Sequence, residues 1–226
     1  MCIAVFKPAG QKAPTMATLK QCFTRNPDGA GFMVAINDKV IINKGFMTWK
    51  SFQKGLHDFF KELNADDYSI VYHFRIGTQG GTKPEITHPY ALTQDYDTMR
   101  MLKQECDIGV AHNGIIHLTS DHRVTDRNDT MTFISEYLYD IVDNNPYWGQ
   151  NAAKIRLVKR LLTGYPNKLA LLNKNGYCTL VGDWIKDNGI YYSNSSYVIP
   201  KPVHKHSSTG DLNGCIPMAL LMDWEA

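Results

Sequence analysis

Short strand-forming segments joined by tight turns are the feature of this sequence that most restricts its fold. Residues 31–46 contain two such segments separated by Asn37-Asp38-Lys39, and residues 168–181 contain two more separated by Lys174-Asn175-Gly176. A turn of this length joins antiparallel neighbours, because a parallel pair needs a crossover of a dozen or more residues. We therefore expect sheets that are mainly antiparallel.

Other β-rich runs lie apart from these two hairpins. They are residues 3–6, 69–74 and 108–111, with a further short pair at 189–192 and 197–199. The run at 108–111 is followed by Asn113-Gly114, a dipeptide typical of a tight turn, and strand-forming residues resume at Ile115-Ile116. Taken alone, this pattern predicts a plain hairpin turn at Asn113-Gly114.

Four stretches are expected to form helices. In residues 48–63 the apolar side chains recur at three- and four-residue intervals, as one face of a helix requires: Trp49, Phe52, Leu56, Phe59, Phe60 and Leu63. The other three are 15–24, a helix from 129 capped by Asp129 or Thr130, and 155–162, ended by Gly164 and Pro166. Helices laid over antiparallel sheets predict an α+β fold.

The composition is that of a globular protein with one large domain. Of the 226 residues, 43% are hydrophobic and 20% are charged. We assign the domain to residues 1–200 and expect residues 201–226 to be a C-terminal tail that packs on the domain or on a partner. The net charge of +2 does not indicate a nucleic-acid partner. No apolar run approaches the ~20 residues of a membrane helix, and no signal peptide is recognisable, so we expect a cytoplasmic protein without a membrane partner.

Neither disulfides nor a metal site are indicated. The five cysteines are odd in number and never spaced as CxxC; they stand at positions 2, 22, 106, 178 and 215. Histidines are frequent in the middle of the chain, but no pair has the spacing that zinc motifs favour: His73, His88, His112, His117 and His122. We assign no metal and no cofactor.

Cys2 follows Met1 directly and opens the first strand. If Met1 is removed, Cys2 carries a thiol with an ordinary pKa of ~8.5 and an α-amino group with a pKa near ~8. The amine can accept the thiol proton, so nucleophile and general base need no separate histidine. The alternative interpretation is a small buried residue in a first strand.

Five segments together resemble the glutaminase domain of class II glutamine amidotransferases, members of the N-terminal-nucleophile hydrolase superfamily. In order they are Cys2, 25–31 (RNPDGAG), 73–80 (HFRIGTQG), 111–116 (AHNGII) and 128–130 (NDT). His88-Pro89-Tyr90 is similar to the family's His-Pro-aromatic element. The resemblance covers about residues 2–200 and implies a four-layer αββα sandwich of two mainly antiparallel sheets flanked by helices.

The resemblance also implies catalytic roles. Cys2 would attack the side-chain amide of glutamine, form a γ-glutamyl thioester, release ammonia and then, after hydrolysis, glutamate. The side-chain amide of Asn113 and the backbone N–H of Gly114 would form the oxyanion hole, a pair of neutral donors that a turn can hold in place.

Substrate-binding roles follow in the same way. Arg75 would hold the α-carboxylate of the substrate in a two-pronged ion pair, Thr78 would add a hydrogen bond, and Asp129 would bind the α-ammonium group. Arg25 and Asn26 match a loop that lies beside the nucleophile in the family. The alternatives are an arginine leaving a strand into solvent for Arg75 and an ordinary helix-start aspartate for Asp129.

The substrate and the partner remain open to alternatives. Residues 201–226 are too few for a synthase domain of ~100 residues or more, so we expect an ammonia-accepting synthase in trans, and a homo-oligomer is compatible with this role. The first alternative is a stand-alone hydrolase of a γ-glutamyl amide, as some short members of the family are. Ile76 and Gln79 stand where some relatives have an aromatic residue and a histidine, so the resemblance does not define the wall of the glutamine pocket or the exact substrate. The second alternative is a non-catalytic binding module, if Met1 is retained.

Overall fold

The computed structural model of the protein describes residues 1–77, 81–117 and 127–200. These residues form an α+β fold with two antiparallel sheets, which confirms the expected fold class. The predicted tail, 201–226, lies outside the described residues. Among the helices of the described ranges, none is long and apolar enough to cross a membrane.

The first strand begins at the third residue of the chain. In order, the strands are β1 Ile3–Lys7, β2 Ala30–Ile36, β3 Lys39–Phe46, β4 Ile70–Phe74, β5 Tyr90–Ala91, β6 Lys103–Cys106, β7 Ile108–Asn113, β8 Lys168–Asn173, β9 Cys178–Val181, β10 Ile185–Asp187 and β11 Ile190–Tyr192. The two hairpins predicted from their turns are β2–β3 and β8–β9, and both are confirmed.

The helices are short to medium in length. They are α1 Met16–Arg25, α2 Trp49–Phe59, α3 Tyr96–Arg100, α4 Asp129–Phe133, α5 Tyr139–Val142 and α6 Ala152–Leu161. A π-helical segment, Ile134–Leu138, joins α4 to α5, and single 3₁₀ turns occur at Ala65–Asp67, Pro84–Ile86, Trp148–Gln150 and Ser195–Tyr197.

The starts of α1 and α2 are determined by local sequence. Thr15 accepts a hydrogen bond from the backbone N–H of Thr18, and Thr48 and Ser51 cap each other's backbone N–H groups in a capping box. Such side-chain caps satisfy donors that the first turn of a helix leaves free. Both helices therefore begin one residue after a threonine.

The larger sheet has seven strands in the order β10-β11-β1-β4-β2-β3-β6. Strand β1 lies between β11 and β4, and its first residue, Ile3, is opposite Phe74, the last residue of β4. Because the two strands are antiparallel, Cys2 and Arg75 lie at the same end of this pair.

The smaller sheet has four strands in the order β5-β7-β8-β9. In the pairing of β7 with β8, Asn113 is opposite Lys168. The last residue of β7 is thus held on one side by a full strand partner. Asn113 therefore lies at the end of an interior strand of this sheet, and Gly114 directly follows it.

Three clusters of buried apolar residues hold these elements together. One joins the larger sheet to α1 and α2, and a second joins the smaller sheet to α4, α5 and α6. The third contains residues of both sheets: Phe6, Met33, Ala35, Val40, Ile42, Val71, Ala91, Ala111, Ala170 and Leu172. The two sheets therefore pack face to face through mostly small and aliphatic side chains.

Gly31 on β2 lies very close to the backbone of His88. A Cβ atom at this position would lie 2.3 Å from the carbonyl oxygen of His88. Any larger residue would separate β2 from the His88-Pro89 segment, which precedes β5.

The predicted hairpin turn at Asn113-Gly114 is wrong. Strand β7 continues through Asn113 and pairs with β5 and β8, whereas Ile115 and Ile116 do not continue as a strand. The local Asn-Gly signal was overridden because the partners of β7 come from distant parts of the chain. Gly114 is instead a bend after the strand.

Two further expectations were wrong. The strand expected at 197–199 is absent, since Ser195–Tyr197 forms a 3₁₀ turn and β11 pairs with β10 and β1. The cap of α4 is neither Asp129 nor Thr130 but Asn128, whose side chain accepts from the N–H of Met131. Strands β5, β6 and β10 and helix α3 were not predicted, because each is short and weakly patterned.

Candidate active site

The Cys2 side chain is held directly before the first residue of β1. The backbone N–H of Ile76 donates to its sulfur at 3.4 Å, and the thiol donates to the Ile76 carbonyl oxygen at 3.5 Å. The side-chain amide of Asn194 donates to the carbonyl oxygen of Cys2 at 2.7 Å. Cys2 is therefore fixed from both its side chain and its backbone.

The surroundings of Cys2 act on its thiol in opposite directions. Burial raises the pKa of the thiol above its ordinary value, because a thiolate loses solvation there. The hydrogen bond from Ile76, the Arg75 guanidinium and the terminal ammonium group each lower that pKa, but burial outweighs them. The thiol is therefore protonated at neutral pH, and a nucleophilic role requires a base.

Arg75 directly follows β4 in a buried position, with 3% of its surface exposed. Its N–H donates to the carbonyl oxygen of Gly29, its carbonyl oxygen accepts from the N–H of Asp28, and its Nη1 donates to the carbonyl oxygen of Gly81 at 2.7 Å. The Asp28 carboxylate in turn accepts from the N–H of Gly77 at 2.9 Å. The turn before β2 therefore holds the backbone of Arg75, and Gly81 accepts from its guanidinium.

Asn113 is fully buried at the end of β7. Its Nδ2 donates to the hydroxyl oxygen of Ser193 at 2.9 Å, while its Oδ1 has no hydrogen-bond partner in the part of the chain that the structure describes. Buried polar atoms without partners are rare and costly, and they frequently mark functional positions.

Gly114 has a backbone conformation that favours glycine, with φ of 149°. A Cβ atom there would come within 2.0 Å of Oδ1 of Asn167. Oδ1 of Asn167 itself accepts from Nε2–H of His112 at 2.8 Å. The bend after β7 therefore requires glycine for both conformation and space.

Ser193 connects the strand that carries Cys2 to Asn113. Its N–H donates to the carbonyl oxygen of Ala4, and its hydroxyl oxygen accepts from the N–H of Ala4, both at 2.9 Å. The same hydroxyl oxygen accepts from Asn113. One side chain therefore links β1 of the larger sheet to β7 of the smaller sheet.

Asp129 is the first residue of α4 and is tied to the segment after Gly114. One carboxylate oxygen accepts from the N–H of Ile116 at 2.8 Å, and the other accepts from the N–H of Thr130 at 2.8 Å. The first bond positions the chain beyond Asn113, and the second satisfies a free helix donor. A structural role at the helix start and a ligand-binding role are compatible, because a carboxylate has about four acceptor positions.

Three buried, neutral histidines belong to the same part of the fold: His73 on β4, His112 on β7 and His88 in the segment before β5. Burial lowers the pKa of His73 to about 3, and burial also lowers the pKa values of His88 and His112. The His88 ring centroid is 4.3 Å from that of His73 and 6.4 Å from that of His112. Within the described ranges, no group of three or more His, Cys, Asp or Glu side chains is arranged to hold a metal ion.

Tyr90 is fully buried, and several groups act on the pKa of its hydroxyl. Burial raises the pKa of its hydroxyl, the side chain of Asn128 lowers it by hydrogen bonding, and the charges of Arg75, Asp129 and a Cys2 thiolate also act on it. The hydroxyl donates to the carbonyl oxygen of Ile86 and accepts from Nδ2 of Asn128, both at 2.6 Å. Its ring centroid is 4.7 Å from that of His88.

The two residues predicted to support the nucleophile, Arg25 and Asn26, stand at the end of α1. Arg25 is exposed at the end of α1. Asn26 is buried, and it ends the helix by donating to the carbonyl oxygens of Cys22 and Phe23. Thr78, the third expected substrate-binding residue, lies outside the described residues.

The structure brings most of the candidate residues into one region. Cys2 and Arg75 lie at adjacent strand ends, Asn113 is joined to the Cys2 strand through Ser193, and Asp129 is joined to the segment after Gly114. Sequence analysis missed Ser193, Asn194 and the backbone of Ile76. No local signal could identify them, because their partners are 74 to 192 residues away along the chain.

Comparisons with known proteins found no match, neither among protein-family models nor among curated protein sequences. The functional argument therefore rests on the residues of the site and their chemistry.

Proposed function

We propose that this protein is a glutaminase of the class II glutamine amidotransferase type, with Cys2 as an N-terminal nucleophile. The observation that carries the proposal is the grouping of a fixed Cys2 thiol, a buried Arg75 guanidinium and a buried Asn113 amide around the joined ends of β1, β4 and β7. The proposal includes the N-terminal-nucleophile hydrolase fold, a four-layer αββα sandwich.

The layering is supported by the three apolar clusters. Helices α1 and α2 share a cluster with the larger sheet, both sheets share a cluster with each other, and α4 to α6 share a cluster with the smaller sheet. This sequence of contacts is the one that an αββα sandwich requires. The antiparallel pairing of both sheets agrees with it.

The first chemical step is attack by Cys2 on the side-chain amide of the substrate. After removal of Met1, the free α-amino group accepts the thiol proton and the sulfur forms a bond to the amide carbon. The α-ammonium group then donates this proton to the departing nitrogen, the C–N bond breaks, and ammonia leaves a γ-glutamyl thioester. Water, deprotonated by the same amine, then attacks the thioester carbon. The C–S bond breaks, glutamate is released and the Cys2 thiol is restored.

The negative oxygen of each tetrahedral intermediate is stabilised by neutral donors. The second N–H of the Asn113 amide and the backbone N–H of Gly114 are the groups assigned to this role, since Ser193 occupies only one Asn113 N–H. A donor of this kind typically contributes ~10² to 10³ in rate.

Recognition of the amino-acid head group uses opposite charges. Arg75 binds the α-carboxylate, for which the planar guanidinium provides two parallel donors, and Asp129 binds the α-ammonium group. Thr78 is the third residue proposed for this contact. Because no described residue suggests a second reaction centre, the released ammonia is proposed to pass to a synthase in trans.

Release of ammonia from glutamine by the purified protein tests the proposal. We expect turnover of glutamine, no turnover by Cys2→Ala, and strongly reduced turnover by Cys2→Ser, because a hydroxyl is far harder to ionise than a thiol. The control is the thermal midpoint, which should be similar in all three proteins. Turnover of γ-glutamyl amides but not glutamine would replace the glutaminase by a γ-glutamyl amide hydrolase, and full activity of Cys2→Ala would refute the mechanism.

A further inference from the structure

Ser193 is completely buried where the two sheets meet, and its contacts are unusual for a residue that follows a strand. Its backbone N–H already bonds to the carbonyl oxygen of Ala4, which is sufficient to continue the pairing of this segment with β1. The hydroxyl oxygen then accepts two further N–H groups, from Ala4 and from the side chain of Asn113. The bond to Asn113 adds nothing to strand pairing.

The consequence lies in the geometry of the Asn113 amide. A primary amide is planar, so a hydrogen bond to one of its N–H groups restricts the directions of the second N–H and of the oxygen. The edge of the amide that Ser193 does not contact includes Oδ1, which is buried and without a partner among the described residues. Oδ1 can only accept a hydrogen bond, so the group that can donate to a negatively charged atom is the second N–H of Nδ2, which has no partner among the described residues.

We propose that Ser193 is a positioning residue for the reaction, and that it acts through Asn113 by holding its second N–H toward the oxyanion. This inference rests on the proposed glutaminase function. Ser193 sets this orientation relative to β1, the strand that begins directly after Cys2, so nucleophile and oxyanion donor keep their distance although they belong to different sheets. Preorganised donors are effective because they need no reorientation during the reaction.

The first test is Ser193→Ala. We expect kcat for glutamine hydrolysis to decrease by ~10- to 100-fold, somewhat less than full loss of one oxyanion donor, while KM changes less than about twofold. The matched control is Ser195→Ala, which removes an exposed hydroxyl two residues along the chain and should leave kcat unchanged. A decrease in kcat/KM through KM alone would overturn the inference.

A double-mutant cycle with Asn113→Ala distinguishes positioning from a general structural role. If Ser193 acts through Asn113, adding Ser193→Ala to Asn113→Ala should not lower kcat further. Multiplicative effects of the two substitutions would show that Ser193 acts independently and would overturn the inference. The cycle remains informative even if both single variants are less stable than the wild type.

The rate at which iodoacetamide alkylates Cys2, followed by peptide mass spectrometry, provides a readout that needs no oxyanion donor. We expect Ser193→Ala to react within about twofold of the wild type. A decrease that matches the loss in kcat would mean that Ser193 positions the nucleophile instead, contrary to the inference. Absence of amide hydrolysis in the wild type would refute the proposed function, and this inference with it.

Discussion

Arg75 combines a charge with nearly complete burial, and its backbone and side chain are both held. The guanidinium donates to Gly81, and the backbone bonds to Asp28 and Gly29 on either side. Burying a charged group is costly unless it is hydrogen-bonded, so a guanidinium is retained in such a position only when it is well supported. This support explains how Arg75 can be presented to a carboxylate without freedom to move.

Arg75→Lys should raise KM for glutamine about tenfold or more and change kcat less. A lysine keeps the charge but cannot form two parallel hydrogen bonds with one carboxylate. Steady-state kinetics of ammonia release measure both constants. Arg160→Lys, at an exposed position on α6, is the matched control and should leave KM unchanged. An unchanged KM in Arg75→Lys would exclude Arg75 from substrate capture.

At the scale of the elements, the site is made of segments that directly precede or follow strands. Cys2 precedes β1, Arg75 follows β4, Gly114 follows β7, and Ser193 follows β11. Strands position such residues accurately because ladder hydrogen bonds and packing hold both faces. Because these residues stand at strand ends, their polar groups can face a ligand while the neighbouring strand holds their backbone.

Gly114→Ala should destabilise the protein and lower kcat. The new methyl group would approach Oδ1 of Asn167 to 2.0 Å, and the positive φ would add about 1–2 kcal/mol of strain. Gly164→Ala is the matched control, because Gly164 also has a positive φ but has open space around it. Thermal unfolding and kcat measure the two effects. Equal loss of stability in both variants would show that the close approach to Asn167 is not restrictive.

At the scale of the whole molecule, three neutral histidines lie between elements of both sheets. His73 belongs to β4, His112 to β7, and His88 to the segment before β5. His73 bonds to the carbonyl oxygen of His112, and the ring of His112 bonds to Thr130 and Asn167. Both ring nitrogens of His88 are without partners among the described residues.

The lowered pKa values of these three histidines predict that the protein loses stability in mild acid. The ordinary pKa of 6.5 is lowered to about 3 for His73 in the folded state, so between these pH values the unfolded chain binds a proton that the folded chain does not. The free energy of unfolding therefore falls as the pH falls, by ~1.4 kcal/mol per pH unit for one such histidine, and His88 and His112 act in the same direction.

Urea unfolding at pH 7 and pH 5 measures this dependence. His88→Gln should reduce the difference between the two free energies of unfolding, whereas His57→Gln, at an exposed position on α2, should leave it unchanged. A wild-type protein that is equally stable at both pH values would contradict the prediction.

The proposed mechanism requires that Met1 is removed, so that Cys2 becomes the first residue of the chain. We expect the intact mass of the purified protein to be that of a chain beginning at Cys2. With Met1 retained, the nitrogen of Cys2 is an amide that cannot accept a proton, and the protein would be a binding module instead. Mass spectrometry of active and inactive fractions decides between the two, because activity should follow the shorter form.

Part of the site could be predicted from the sequence because its signals are local. The β-rich run after Cys2, the strand that ends at Arg75, and the helix that begins near Asp129 each depend on residues a few positions apart. Local patterns failed at Asn113-Gly114, where the dipeptide indicated a hairpin and the structure has the end of a strand between two partners.

The sequence by itself determined the antiparallel hairpins, the caps of α1 and α2, and a cysteine placed before a strand, because alternation, turn residues and caps act between near neighbours. Only the tertiary structure decided which strands adjoin, that Asn113 meets Ser193, and that Asn194 holds Cys2. Those contacts join residues 80 and 192 positions apart. The first contact joins the two sheets and the second joins two neighbouring strands of the larger sheet, so a pattern of neighbouring residues does not encode either of them.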